Sequence, residues 1–113
     1  MEIIINDKEQ IKIVEIIGKL DGSSSEQAEE SISALITDHC QLIFDMSQCD
    51  YISSAGLRVL LVTAKKLKIK SGHAVTCGLI EEVKDVMEMT GFDNMFDNYD
   101  TLELAFDAMR NEG

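Results

Sequence analysis

The sequence predicts one α/β domain, residues 1–113, in which a four- to five-stranded mixed sheet is covered by about four helices. The length of 113 residues is that of a single domain. Segments rich in β-branched residues alternate with segments that have apolar residues at helical spacing. This alternation predicts strands that are joined by helices lying on the sheet. The apolar fraction of 45% is typical of a globular domain, so we do not expect disorder.

The N-terminal half predicts a hairpin, a helix and a buried strand. We expect strands over residues 3–6 and 11–18, because β-branched residues dominate both and a polar turn separates them. A run of serines can then cap a first helix, which should end near Asp38. Residues 41–46 form an apolar run without charge before Asp45, which predicts a central strand parallel to a neighbour.

The C-terminal half predicts three more helices and two more strands. A second helix should run from residue 55 to about residue 69, with leucines on its buried face and lysines mostly opposite. We expect a fourth strand over His73–Cys77 and a third helix over Glu81–Thr90, which Gly91 ends. Residues 95–96 are a candidate short strand, and residues 101–109 predict a last amphipathic helix.

The negative charge of the chain is unevenly distributed. The net charge is −11, yet residues 58–70 contain five basic residues and no acidic one. An acidic surface repels phosphate groups, so we expect neither nucleic acid nor an anionic membrane as a partner. The basic run is either a nucleic-acid contact or the solvated face of one helix, and the pattern favours the second interpretation. A protein partner with a basic surface fits the remaining acidic surface better.

The apolar runs and the cysteines indicate a cytoplasmic protein. No apolar run approaches the ~18–20 residues that cross a bilayer, so we expect no direct membrane insertion. The first residues lack the basic and apolar regions of a signal peptide. The three cysteines, Cys40, Cys49 and Cys77, cannot all pair within the chain, which favours free thiols in a reducing compartment.

The sequence gives little support to catalysis, metal binding or cofactor binding. A nucleophilic serine needs a base within reach, and nothing in the sequence brings His39 or His73 close to Ser54. His73 and Cys77 share one face of a strand, but structural zinc requires four ligands. The sequence contains no phosphate-binding Gly-Lys-Ser/Thr loop. We therefore predict no catalytic residues, no metal and no cofactor.

Residues 45–57 connect a buried strand to the second helix and contain two adjacent serines, Ser53 and Ser54. A serine at this point can cap the helix. The same backbone N–H groups and the helix dipole would also stabilise a phosphate on its hydroxyl. The turn is therefore a simple cap or a phosphorylation switch, and apolar neighbours could form a contact patch around it: Tyr51, Ile52 and Leu57.

Residues 45–61 resemble the signature of STAS domains, above all that of bacterial anti-sigma factor antagonists. The signature begins with Asp/Asn-Leu-Ser and continues to Asp-Ser-Ser/Thr-Gly-Leu. Residues 18–21, Gly-Lys-Leu-Asp, resemble the family's segment before the first helix, and Ser24 stands at its usual Ser/Thr position. Residues 83–92 are similar to the family's late helix and the turn after it.

The resemblance implies a non-catalytic protein that takes part in partner switching. Unphosphorylated, such a protein binds an anti-sigma factor that is also a serine kinase, and a sigma factor is released. The kinase phosphorylates the antagonist, and a metal-dependent serine phosphatase reverses the modification. The family's phosphoserine falls on Ser54. The resemblance and the turn together predict these partner-binding residues: Asp21, Ser24, Asp45, Tyr51, Ile52, Ser53, Ala55, Gly56, Leu57 and Arg58.

Two residues depart from the family signature. Ser53 replaces an Asp, which removes a negative charge and makes Ser53 a rival phosphorylation site. Ala55 replaces a Ser or Thr. We expect Gly56 to leave room for a kinase and Asp45 to set the local electric field. The alternative function is a non-phosphorylated STAS scaffold, such as an accessory subunit of a membrane transport or signalling complex. We expect a monomer or a weak dimer.

Overall fold

A computed structural model describes residues 1–112 of the chain. Within these residues the elements are six strands, four α-helices and one 3-10 turn, Phe92–Asn94. The strands are β1 (Glu2–Lys8), β2 (Ile11–Leu20), β3 (Gln41–Asp45), β4 (Cys49–Ile52), β5 (His73–Cys77) and β6 (Asp97–Tyr99). The helices are α1 (Ser25–Ser33), α2 (Ser54–Ile69), α3 (Glu81–Thr90) and α4 (Leu102–Glu112).

The sheet has the order β1-β2-β3-β5-β6, with β1 antiparallel to β2 and the other neighbours parallel. The prediction of a central parallel strand is confirmed, because β3 lies between β2 and β5 and is parallel to both. Strand β4 also pairs with β2, in parallel, farther along the same side. β4 therefore pairs with the last residues of β2, beyond the residues that pair with β3. Because α2 begins two residues after β4, the helix starts beside the end of β2.

The helices cover the two faces of the sheet unequally. One face packs against α1, α2 and α3 and forms the larger apolar core, which contains Ala28, Phe44, Leu60 and Met87. On the other face α4 packs against β3 and β5 and forms a smaller core. Within residues 1–112, no helix is long and apolar enough to cross a membrane.

The predicted number of strands was too low, because β4 was not recognised. The strand has only four residues, and its two central residues are exposed and include Asp50. Such a segment resembles a polar turn in the sequence. It is a strand because its backbone pairs with Gly18–Leu20 of β2, a contact between residues distant in sequence.

Two other predicted boundaries were wrong. Helix α1 ends at Ser33 rather than near Asp38, although the following residues 35 and 36 still pack against the larger core. The short last strand is β6 rather than residues 95–96. The side chain of Phe96 packs instead against Phe44, with 5.8 Å between the ring centroids.

Candidate phosphorylation site

Ser53 is the residue that caps α2. Its backbone is extended, with φ −100° and ψ 177°, and its Oγ accepts a hydrogen bond from the Gly56 N–H at 3.3 Å. Its carbonyl accepts the first helical hydrogen bond, from the Leu57 N–H at 2.9 Å. Its own N–H donates to the Leu20 carbonyl at 3.0 Å. Ser53 therefore satisfies backbone groups at the helix start and holds this start against the end of β2.

Ser54 is the first residue of α2, and its side chain is exposed. Its hydroxyl makes no hydrogen bond with any other residue from 1 to 112. The two serines thus differ in their surroundings: Ser53 is half-buried and serves the helix, whereas Ser54 presents a hydroxyl to solvent. Of the two serines that could cap α2 by sequence, Ser53 is the one that does so.

Gly56 is required by the close approach of α2 to β2. A Cβ at this position would lie 2.9 Å from Ile52 Cγ1 and still closer to the Leu20 carbonyl oxygen. Atoms of real side chains do not approach this closely, so any larger residue must displace backbone. The expectation that Gly56 leaves room for a kinase is wrong, because Leu20 of β2 and Ile52 of β4 fill the space above its Cα.

The predicted contact patch is smaller than the sequence suggests. Tyr51 is 50% exposed, whereas Ile52 and Leu57 are each only 3% exposed and belong to the larger core. Ile52 and Leu57 therefore pack beneath the turn and are not accessible to a partner. Of the predicted partner-binding residues near Ser54, Tyr51 and Arg58 are exposed, and Ser53 and Ala55 are half-buried.

Asp45 lies too far away to set the electric field at Ser54. Asp45 pairs with Glu15 on β2. Ile52, two residues before Ser54, pairs with Leu20, which lies five residues after Glu15 along β2. At the rise of a strand this separation is about 16 Å, and charges that far apart in solvent are largely screened. One carboxylate oxygen of Asp45 instead accepts the Ser47 N–H at 3.1 Å and fixes the turn into β4.

Asp21 and Ser24 form a second turn at the end of β2, where α1 begins. Ser24 is 6% exposed; its Oγ accepts from the Asp21 N–H at 3.0 Å and donates to the Lys19 carbonyl at 2.8 Å. The Asp21 carboxylate accepts from the Ser23 hydroxyl at 2.7 Å and from its N–H at 3.0 Å. These bonds to Ser23 lower the pKa of Asp21. Both predicted residues therefore have roles within the turn.

The starts of α1 and α2 also form the two sides of a shallow groove. Arg58 and Ala55 line it from α2, and Ser25, Glu26 and Glu29 line it from α1. Arg58 follows Ser54 by four residues and is also exposed, so the two side chains lie on the same face of α2. A phosphate on Ser54 would therefore have a guanidinium one turn away.

The described residues do not form a metal site, and the buried cysteines are not activated. No group of three or more His, Cys, Asp and Glu residues within 1–112 is placed to hold a metal ion. Burial, with a smaller contribution from the charge of Asp45, raises the pKa of the Cys77 thiol to about 12. Burial also raises the pKa of Cys49. Neither thiol forms a reactive thiolate at neutral pH.

The sequence matches the family model of the STAS domain over residues 2–105. The chain belongs to the STAS domain family. The match includes both turns at the end of β2 and all of α2. The resemblance of residues 45–61 to the STAS signature is thus confirmed at the level of the family.

Several relatives of this STAS domain are described as anti-sigma factor antagonists. BtrV of Bordetella bronchiseptica, a proposed antagonist, is 35% identical over 94 residues, or 82% of this chain and 81% of BtrV. The structure of an antagonist from Mycobacterium paratuberculosis is 26% identical, with a TM-score of 0.87 over 96% of this chain and 93% of that chain. The Bacillus cell fate determinant SpoIIAA in its phosphorylated form is 18% identical, with a TM-score of 0.72 over 96% and 99% of the two chains.

The sequence contained no indication that Leu20 helps to shape this STAS site. Its carbonyl accepts the Ser53 N–H and lies against Gly56, while its side chain is fully buried. A backbone carbonyl has no side-chain signature, so only the pairing of β2 with β4 identifies it. The nearest available signal was the glycine itself, because a glycine in the first turn of a helix indicates a close backbone approach.

Proposed function

We propose that this STAS protein is an anti-sigma factor antagonist that acts by partner switching. The unphosphorylated protein binds an anti-sigma factor that has serine kinase activity. Phosphorylation of Ser54 releases the protein, and a serine phosphatase restores it. The similarity to BtrV over most of both chains supports this function, as does the fold shared with SpoIIAA, which has been observed in a phosphorylated form.

The exposed Ser54 hydroxyl beside a separate helix cap is the observation that carries the proposal. A kinase can modify Ser54 without removing a hydrogen bond on which the fold depends, because Ser53 makes the capping bond. Ser53 is the less suitable site, since a phosphate there would replace the acceptor for the Gly56 N–H and crowd the end of β2.

The phosphate would act on the partner rather than on the fold. It adds a charge of about −1.5 to −2 at the start of a helix, where the dipole and free N–H groups stabilise an anion. The helix therefore remains folded, and the added charge changes the surface formed by Tyr51, Ala55 and Arg58. The protein functions by binding and not by catalysis, with neither nucleic acid nor a lipid bilayer as its ligand.

The first experiment locates the phosphate. The protein is isolated from its native cells under phosphatase inhibition, and its intact mass and fragment masses are measured. We expect a form with one phosphoryl group on Ser54. A phosphoryl group on Ser53 would preserve the switch and move its site. The absence of any phosphorylated form under growth and stress conditions would favour the STAS scaffold of a transport or signalling complex.

The second experiment tests whether the charge at Ser54 controls binding. The anti-sigma factor retained by the Ser54→Ala protein is purified, and its Kd is measured for Ser54→Ala and Ser54→Asp. We expect Ser54→Asp to bind at least about tenfold more weakly, because the added charge lies within the contact surface. Thr37→Asp adds the same charge at an exposed position after α1 and should change Kd little. Equal binding by both Ser54 variants would contradict the proposed function.

A further inference from the structure

An exposed line of residues on α2 begins at Ser54. Arg58, Leu61, Lys65 and Ile69 follow it at intervals of four, three, four and four residues, which places all five on one stripe of the helix. We call these five residues the α2 stripe. The opposite side of the helix is buried through Gly56, Leu57, Val59, Leu60, Thr63 and Leu67. Ser54, Arg58, Lys65 and Ile69 are exposed, Ile69 to 80%, and Leu61 is half-buried. The first turn of the stripe borders α1, because Arg58 lines the groove between the two helices.

The α2 stripe lies in the longest segment of the sequence that contains no acidic residue. Residues 51–80 contain five basic residues and no acidic residue, although the net charge of the chain is −11. Lys66 donates to Ser33 at 2.8 Å, and Lys70 lies 3.9 Å from Asp38, so these two lysines are engaged within the fold. Arg58, Lys65 and Lys68 make no ion pair with any residue from 1 to 112. Arg58 borders the groove that Glu26 and Glu29 of α1 also line, whereas Lys65 and Lys68 lie farther along the helix.

The α2 stripe also has an apolar component. Ile69 is exposed and Leu61 is half-buried, and each lies one turn from Lys65 along the helix. A single exposed aliphatic residue is common on protein surfaces. Here two aliphatic residues alternate with two unpaired cations along a helix face, which is the pattern of a helix that lies against a partner.

We propose that the α2 stripe extends the partner-binding surface and contacts an acidic, partly apolar surface of the anti-sigma factor. This inference rests on the proposed function and adds the chemistry of the partner. An acidic surface would be repelled by most of this protein and attracted to the α2 stripe, so the charges would fix the orientation of the complex. The remaining acidic surface still suits a basic region elsewhere on the same partner.

The position of Ser54 on the α2 stripe explains how its phosphate would cause release. The phosphate would be the first group on the stripe, and Arg58, four residues later, would be its nearest helical neighbour for a charge-assisted hydrogen bond. Phosphorylation would thus engage the Arg58 guanidinium, which would no longer be available to the partner. It would also add an anion at the start of the stripe. The weakening of binding should therefore depend on the basic residues of the stripe.

The test compares variants of the α2 stripe with matched variants on α3. Lys65→Glu and Ile69→Ser change the stripe, whereas Lys84→Glu and Met89→Ser make the same changes on α3, where Lys84 is exposed and Met89 is 86% exposed. Binding to the purified anti-sigma factor is measured at several salt concentrations.

We expect Lys65→Glu to weaken binding about tenfold or more and to reduce the salt dependence of binding. We expect Ile69→Ser to weaken binding by a similar factor. The α3 variants should stay within about twofold of the unchanged protein. Far-UV circular dichroism checks that all four variants are folded.

The outcomes separate the α2 stripe from the proposed function. If the stripe variants bind like the α3 variants while Ser54→Asp still weakens binding, the stripe is not part of the interface and the switch remains valid. If Ser54→Asp also has no effect, the proposed function itself fails. Binding of the unchanged protein to a short random DNA duplex, abolished by Lys65→Glu, would instead assign the basic residues to nucleic acid and overturn the inference.

Discussion

The turn before α1 and the turn before α2 both contain serines at the end of β2, but they use them differently. In the first turn, Ser24 is buried and bonded to backbone groups of Asp21 and Lys19. In the second turn, Ser53 makes one capping bond and Ser54 makes no hydrogen bond with the described residues. A hydroxyl that is required for folding is not available for modification. Ser25, the first residue of α1, also has a hydroxyl without a partner among the described residues, but it is half-buried, whereas Ser54 is exposed. The comparison therefore identifies Ser54 as the hydroxyl suited to a reversible phosphate.

The largest expected effect concerns the glycines of the two turns. We expect Gly56→Ala to destabilise the protein by about 3 kcal/mol, because the added Cβ would clash with the backbone of Leu20 and with Ile52. Gly22→Ala in the first turn is the control, since a Cβ added there would have no neighbouring heavy atom within 4 Å. Urea denaturation measures both free energies of unfolding. Equal stabilities would contradict the close approach of α2 to β2.

The buried serine of the first turn should have the next largest effect. We expect Ser24→Ala to lower the free energy of unfolding by about 2 kcal/mol, because it leaves the Asp21 N–H and the Lys19 carbonyl without their partner. Ser25→Ala, one residue later, removes a hydroxyl that makes no hydrogen bond with residues 1–112 and should cost less than about 0.5 kcal/mol. If the two variants melt at the same temperature, the first turn does not depend on Ser24.

The two serines of the second turn should differ by a smaller amount. Ser53→Ala removes the helix cap and should cost about 1 kcal/mol. Ser54→Ala should cost almost nothing in stability, because its hydroxyl has no partner within the described residues. Thermal unfolding of the two variants measures the difference. A loss for Ser54→Ala as large as that for Ser53→Ala would show that Ser54 supports the fold and would weaken its case as a switch.

The smallest effect should come from the pH dependence of the first turn. Hydrogen bonds from Ser23 lower the pKa of Asp21 in the folded protein below its ordinary value of 3.8. The folded state therefore binds fewer protons, and Asp21 contributes stability above pH 3.8 that is lost as the pH falls through the folded pKa. We expect Asp21→Asn to make the stability less dependent on pH in this acidic range. An unchanged pH profile would indicate that Asp21 is not held by Ser23.

The sequence by itself determined the features that depend on local pattern. The apolar run of β3, without a charge before Asp45, correctly indicated a central parallel strand. The spacing of the leucines identified α2 and its buried side, and the two serines between strand and helix marked the candidate site. Local composition also showed the basic segment of a strongly acidic chain.

Only the tertiary structure decided which of these residues share a surface. The pairing of β4 with β2 removes Asp45 from the site and brings the Leu20 carbonyl against Gly56. The same pairing buries Ile52, and it fixes Ser53 as the residue whose N–H bonds to β2. These facts depend on contacts between residues about thirty positions apart, which no local spacing encodes, because strand pairing is set by the packing of the whole sheet.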